Sequence, residues 1–351
     1  IKEIDGIIGT GNLKDIVNII EDLEKGEKKV KKVENIDENY LEGISRNNFN
    51  PTEYVRISEG CDNHCSYCII PKLRGKYRSR TMENIIDEVK YLVENGVKEI
   101  ILIGQNTSDY GIDLYGEYSL GKLLDELNKI EDLKWIRLLY LYPDNFTDEL
   151  INSIKRNQKV VKYVDIPLQH INNKILKKMN RKTSKEDIES LISKLRTEIP
   201  NIIIRTTFIV GFPGEEENHF QELYSFVQET RFDKLGVFTY SKEEGTAAYN
   251  FKNHIDENIK EERRNKLMEL QQNISYNLNS SKVQNTYLTI IEEVLEEGLY
   301  IGRSYMDAPD IDGLIYIRSN KNLRPGEFIN VRIIDCLEYD LIGEIDDEFA
   351  Q

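Results

Sequence analysis

Three of the four cysteines in this 351-residue chain, Cys61, Cys65 and Cys68, stand together with gaps of three and two residues between them. Thiolates are the natural ligands of iron-sulfur clusters, and a complete four-iron cluster takes four of them. Three leave one iron without a protein ligand. An open iron suits S-adenosylmethionine (SAM), whose amino and carboxylate groups can chelate that corner. An electron from the cluster then cleaves the sulfonium to a 5′-deoxyadenosyl radical. The expected cofactors are a [4Fe-4S] cluster with one open iron, and SAM. The alternative is a zinc-stabilised, non-catalytic interaction module with His64 or the distant Cys336 as fourth ligand. His64 lies between Cys61 and Cys65, so closing all four onto one ion would strain the loop. Cys336 shares an apolar β-pattern with Val331 and Ile333, where a lone Cys packs as a small hydrophobe.

The elements that must position these thiols are β-rich runs alternating with amphipathic helical patterns. The strand candidates are Tyr54 to Ser58, Glu99 to Ile103, Trp135 to Leu141, Tyr163 to Ile166, Ile202 to Val210 and Lys234 to Tyr240. Between them Met82 to Glu94, Leu120 to Ile130, Thr147 to Arg156, Ser184 to Glu198 and Glu216 to Thr230 place apolar residues on one helical face. Thr183 or Ser184 is a suitable N-cap. Strand and helix alternating in this way mean parallel crossovers. Six units are too few for an eightfold barrel, so the fold class is α/β: an open six-unit (β/α) partial barrel, with functional loops at the C-terminal strand ends by analogy. The thiols follow the first strand in a loop. A long charged helix from Ile259 to about Leu278 closes this core, residues 47–278. From Ser281 the hydrophobic period changes to 2. Five short strands, Thr286 to Val294, Tyr300 to Ser304, Gly313 to Arg318, Glu327 to Cys336 and Tyr339 to Glu344, predict a small five-stranded antiparallel β-barrel over residues 281–349. Residues 26–50, rich in Lys, Glu and Asn, read as a linker or surface strap.

Composition narrows the class. The chain is 39% apolar and 31% charged, with mean hydropathy −0.52, and has no apolar run long enough to span a membrane. Clustered cysteines point to a reducing compartment, hence the cytoplasm. A formal charge of −15 argues against a basic groove tracking nucleic acid, so RNA is a poor partner and a basic protein a better one.

Gly60-Cys-Asp-Asn-His-Cys-Ser-Tyr-Cys-Ile-Ile-Pro71, followed by Arg74-Gly75 and Ser79-Arg80, resembles the signature of the radical SAM methylthiotransferases. The resemblance continues through Leu102-Ile-Gly-Gln-Asn-Thr107, Asp165-Ile-Pro-Leu-Gln-His170 and Thr206-Thr-Phe-Ile-Val-Gly-Phe-Pro-Gly-Glu215, and the C-terminal barrel resembles a TRAM domain. It implies that Cys61, Cys65 and Cys68 bind the cluster and that Tyr67 packs near the adenine of SAM. It also implies that Gly104, Gln105 and Asn106 occupy the turn contacting the SAM amino group, although Gln105 stands where the superfamily often has Glu. Arg205 is a candidate partner for the SAM carboxylate, or else a structural ion pair. His170 reads as a structural histidine. No catalytic side chain is expected beyond the cluster ligands.

Within the family one branch modifies a tRNA adenosine. Another adds a methylthio group to the β-carbon of an aspartate in a ribosomal protein, the twelfth of the small subunit. Leu139-Tyr-Leu-Tyr-Pro143, Gly302-Arg-Ser304, Asp307-Ala-Pro-Asp-Ile-Asp-Gly313 and Tyr339-Asp340-Leu341 resemble the ribosomal-protein branch. From Ser281 onward 6 basic residues face 15 acidic ones, a poor RNA platform and a suitable seat for a basic ribosomal protein. The tRNA branch remains the alternative. The family's N-terminal domain, expected to bring three more cysteines and a second [4Fe-4S] cluster that delivers sulfur, would precede this sequence. Residues 1–46 read as its remnant and a linker. The electron donor, a reductase or a flavodoxin-like protein, is not legible.

Overall fold

The computed structural model of the protein describes residues 3–27, 29–33 and 46–346. At its start a short unit pairs β1 (Gly6–Ile8) in parallel with β2 (Val30–Lys32), joined by α1 (Ile16–Glu24). β2 corrects the linker reading at its first part: three residues are too few to show a period, and only the waiting edge of β1 makes them a strand. Residues 34–45 of that stretch, and the last residues expected in the barrel, lie outside the described residues.

The core begins with β3 (Thr52–Arg56) and a two-residue strand β4 (Ser58–Glu59). After the cysteines come α2 (Ile70–Arg74) and β5 (Arg78–Ser79), which pairs antiparallel with β4. One helix and five β/α repeats follow. They are α3 (Met82–Glu94), β6 (Glu99–Ile103), α4 (Ile112–Tyr115) and α5 (Leu120–Leu127), then β7 (Trp135–Leu138), α6 (Asp148–Arg156), β8 (Val160–Asp165) and α7 (Asn173–Lys178). The last ones are α8 (Lys185–Glu198), β9 (Ile203–Val210), α9 (Glu217–Thr230), β10 (Lys234–Thr239) and the long α10 (Glu257–Ser280). The six core strands are all parallel, in the order β10-β9-β8-β7-β6-β3, an open sheet as the strand count predicts.

Local chemistry sets the helix starts. Thr81, Thr147 and Ser184 each accept a hydrogen bond from a backbone N–H in the first turn of α3, α6 and α8, and Ser184 with Asp187 completes a capping box. Strand residues alternate between two apolar environments. Val55, Ile100, Leu102, Ile136, Leu138, Val164, Ile204 and Phe208 pack under the helices. Their neighbours Ile101, Trp135, Val161, Tyr163 and Ile203 point to the other face.

Part of that second face is covered by the C-terminal barrel, built from β11 (Thr286–Glu296), β12 (Leu299–Ser304), β13 (Ile315–Arg318), β14 (Phe328–Cys336) and β15 (Leu341–Ile345). It closes in the order β11-β12-β13-β15-β14, and Ile290, Tyr300, Met306 and Ile315 join the sheet residues in one apolar cluster. Four pairings are antiparallel and one, β13 with β15, is parallel. The all-antiparallel expectation fails there for a reason of parity. Strand direction cannot alternate around a closed ring of five, so one neighbouring pair must run the same way.

A fully buried carboxylate joins the two parts. Glu99 on β6 accepts from Arg137 Nε on β7 at 2.9 Å and pairs with Arg303 of β12, all three side chains showing 0% exposure. Arg303 also donates to the Asp307 carbonyl, and Arg137 to the Tyr305 carbonyl. Burial alone would raise the Glu99 pKa; the two guanidinium groups outweigh it and hold the carboxyl below its ordinary value. The depressed folded-state value means this contribution is complete above the unfolded carboxylate pKa and is lost as pH falls through the folded one. Replacing one member of such a group leaves unpaired buried charge, which costs about 3–5 kcal/mol. Glu99→Gln should lower stability by that order in denaturant unfolding at pH 7. The loss should shrink as the pH is taken below about 4.

Candidate functional site

The cysteine loop has little regular structure and is held by bonds from elsewhere. Cys61 N–H donates to the Gly75 carbonyl at 3.3 Å, Ser66 N–H to the Met179 carbonyl at 3.0 Å, and Ala248 N–H to the Ser66 carbonyl at 2.7 Å. Tyr77 N–H reaches Asp62 Oδ1 at 3.1 Å, and Asn180 Nδ2 donates to the His64 carbonyl at 2.7 Å. Gly60 opens the loop with φ +79°, and a Cβ there would collide with the Lys76 carbonyl. Its N–H donates to Gln105 Oε1 at 2.7 Å. The Gln that departs from the superfamily's usual Glu thus fastens the loop to the end of β6.

A cleft of about 390 Å³ opens at the C-terminal strand ends. Cys61, Cys68 and Ile70 contribute from the loop and α2, Arg56, Ile103, Gly104 and Gln105 from the ends of β3 and β6, and Tyr140 from the turn after β7. Cys65 is buried beside it, its Sγ 3.8 Å from the Tyr142 hydroxyl. A separate cleft lined by Asn201, Asp233 and Leu278 lies at the opposite strand ends, away from the thiols.

Of the residues singled out in the sequence, Cys61, Cys68, Gly104 and Gln105 meet in this cleft. Asn106 lies behind it, 1% exposed, donating to Asp109 and accepting from Ser108 Oγ at 3.1 Å. Tyr67 packs edge-on to Phe212 at 6.5 Å, close to Cys65 and Arg181, and burial pushes its hydroxyl pKa up. Arg205 does not line the cleft. Its Nη1 is 2.8 Å from Asp165 Oδ1 and its Nε 3.6 Å from Asp312 Oδ1. His170 is fully buried, accepting from Asn172 N–H on Nδ1, with Nε2 3.5 Å from Glu215. His64 is exposed, and Cys336 packs in the barrel with its Sγ 3.5 Å from Ser280 Oγ.

Arg56 and Arg181 carried no signal in the sequence, and Tyr140 stood there only as part of the Leu139–Pro143 resemblance, with no role attached. Arg56 ends a mixed strand, Thr52–Arg56, in which Glu53 is also charged. The Arg56 Nη1 is 3.0 Å from Glu59 Oε2, and Glu59, 1% exposed in its side chain, also binds Arg74 at 3.1 Å. Arg181 stacks 4.0 Å over the Tyr142 ring and donates to the Pro167 carbonyl at 2.9 Å. Tyr140 adopts φ +59°, a backbone state no pattern of residue types reveals.

The donor set suits an iron-sulfur cluster. Burial pushes the Cys61 thiol up to about 11, with Cys65, Cys68 and Asp109 adding to the rise, and burial likewise raises Cys68. Thiols in that state become thiolates when a metal supplies the compensating charge. Among the described residues no three His, Cys, Asp or Glu side chains converge as a single ion would require. A four-iron cluster does not ask this of its ligands, because each thiolate binds a different corner.

Loop geometry sets where the three thiols stand. Gly60→Ala should force the loop off its seat, and Gln105→Ala should remove a bond worth about 1 kcal/mol. After anaerobic reconstitution both should hold less iron per chain than the parent, Gly60→Ala the least, as counted by iron analysis and cluster absorbance.

Comparison with known proteins fits this geometry. The Radical SAM superfamily pattern matches residues 55–227 and the TRAM domain pattern residues 284–345. Ribosomal protein uS12 methylthiotransferase RimO of Caldanaerobacter subterraneus subsp. tengcongensis is 56% identical over 346 residues, 98% of this chain and 79% of its own. The protein of the same name from Clostridioides difficile is 49% identical over 352 residues, 100% of this chain and 79% of its own. Among solved structures, coproporphyrinogen III oxidase (HemN) from Escherichia coli, a radical SAM enzyme, aligns over 71% of this chain and 57% of its own, with a TM-score of 0.45 and 19% identity. Identity near one half, sustained from the short N-terminal unit through the thiol loop to the closing strands of the barrel, makes this chain a member of the radical SAM family of ribosomal protein uS12 methylthiotransferases, RimO.

Proposed function

We infer that the protein transfers a methylthio group to the β-carbon of an aspartate in ribosomal protein uS12, and that Cys61, Cys65 and Cys68 hold the [4Fe-4S] cluster that the family's chemistry needs. The observation carrying the site assignment is a set of three thiols, one short of a full cluster's complement, beside a cleft large enough for a small cofactor. When bound, the cluster supplies the electron that cleaves SAM to the radical that abstracts the aspartate β-hydrogen.

The chain's own part is placement. Gly104 and Gln105 line the cleft and are proposed to face SAM, Gln105 through the amide nitrogen and the acceptor capacity left beyond its bond to Gly60. Asn106 supports that wall from behind through Asp109 and Ser108, and Tyr67, packed on Phe212 beside Cys65, is proposed to lie near the adenine of SAM. For Arg205 the two carboxylates already bound favour the structural alternative over the SAM carboxylate. Among the described residues no helix is long and apolar enough to cross a membrane, and a ribosomal substrate favours the cytoplasm as the place of action. The quoted relatives carry uS12 in their names, which favours this substrate over tRNA and over a zinc-stabilised module. A second cluster delivering sulfur, on three cysteines upstream of residue 1, is proposed from the resemblance alone, as is a reductase or flavodoxin-like electron donor.

Incubation of the reconstituted enzyme, reductant and SAM with uS12 and with tRNA separately should add the mass of one methylthio group to uS12 only. A gain on the RNA alone overturns the substrate assignment. Cys65→Ala should give protein without the brown cluster absorbance and no gain on either.

A further inference from the structure

Arg56 is the one cationic side chain among the residues lining the thiol cleft. Its pairing with Glu59 uses Nη1 alone. The side chain stays 38% exposed, and its remaining N–H donors have no protein partner among the described residues. Glu59 cannot swing away, being buried and shared with Arg74, so it fixes the guanidinium at the cleft while leaving the rest of the fork free. A free guanidinium edge is shaped for a carboxylate, which it can grip with two parallel bonds.

Tyr140 lines the same cleft. Its left-handed backbone is unfavourable for a bulky residue and persists only where the surroundings enforce it. Here Tyr140 N–H donates to Asp165 Oδ2 at 3.1 Å, Thr107 N–H donates to the Tyr140 carbonyl at 3.0 Å, and Thr107 Oγ1 donates to the Leu139 carbonyl at 2.6 Å. The ring so held is 46% exposed, and its hydroxyl has no protein partner among the described residues. Core packing does not account for an exposed aromatic held in a strained state at the mouth of a cleft.

Two carboxylates enter this cleft in the reaction inferred above, that of SAM and that of the target aspartate. Chelation at the open iron provides for the first. We propose that Arg56 and Tyr140 form a carboxylate subsite for the second, the guanidinium and the phenol hydroxyl donating to the side chain of the target aspartate so that its β-carbon stops beside the cofactor. Glu59 is the positioning residue for Arg56, and Asp165 with Thr107 for Tyr140. The subsite rests on the uS12 reading and gives it a recognition element for the acidic side chain itself.

The test measures binding of purified uS12, and of uS12 carrying Asn at the target position, to the reconstituted, SAM-loaded protein by fluorescence anisotropy. The parent should bind the Asp form about tenfold more tightly, the worth of one charge-assisted contact. Arg56→Gln should bind both forms alike, and Tyr140→Phe should narrow the gap to about threefold. Arg56→Gln leaves Glu59 with Arg74 alone, so Tyr140→Phe, which removes a single unbonded hydroxyl, is the arm that leaves folding untouched. The shift that SAM causes in the electron paramagnetic resonance signal of the cluster should be the same in all three proteins. Undiminished discrimination in both variants overturns the proposal. So does loss of the SAM-dependent shift in Arg56→Gln, which would give the guanidinium to the carboxylate of SAM. A parent that binds neither form of uS12 would instead remove the substrate reading, and the subsite with it.

Discussion

The thiol-bearing loop forms no regular ladder of its own, so its amides and carbonyls must be met by other parts of the chain. That requirement organises the active end of this protein. Gln105 at the end of β6, Gly75 after α2, Met179 after α7 and Ala248 beyond β10 each take or give a backbone bond to the segment from Gly60 to Ser66. The partners come from both ends of the strand order, so the loop's shape depends on the whole sheet having closed to its final curvature.

The opposite face of the sheet works by a different rule. Parallel sheets are stable when both faces are covered, and here helices cover one while the C-terminal barrel covers part of the other. Glu99, Arg137 and Arg303 make that contact selective as well as apolar, because a shifted barrel would strand buried charge. A second chain of contacts runs from the barrel to the cleft. Asp312 meets Arg205, Arg205 meets Asp165, and Asp165 accepts from Tyr140 N–H. Tyr163 also donates to Asp312 at 2.7 Å, tying the same loop to β8. The barrel therefore helps set the backbone state of a residue at the mouth of the site, which a flexibly tethered module could not do.

How much of this was legible in the sequence follows from which interactions are local. The six core strands, the long helices and the five barrel strands were readable because each buries a face whose period is written in consecutive residues. α2, α4 and α7 were missed, since four to six residues do not complete enough turns to show a period. β2 depends wholly on β1. At the site, the thiols announced themselves by type and spacing, whereas the turn at Gly104 and Gln105 was legible only through the family resemblance. Arg56 was not legible, for a lone Arg in a strand looks the same whether it faces solvent, an ion pair or a ligand. Arg205 was left between two roles for that very reason, and only the positions of Asp165 and Asp312 show where its charge is spent.

The charge distribution separates two jobs that sequence composition had merged. A net charge of −15, with the barrel region strongly acidic, attracts a basic protein from beyond contact range, but in physiological salt that pull fades over about 8 Å and cannot choose among side chains. Choice has to be made inside the cleft, where screening is weak and a single cation decides which sign of group is welcome. An acidic surface around a site whose lining holds one arginine is thus no contradiction. On the reading proposed above, the surface gathers a basic partner and the arginine admits the negative group that such a partner presents.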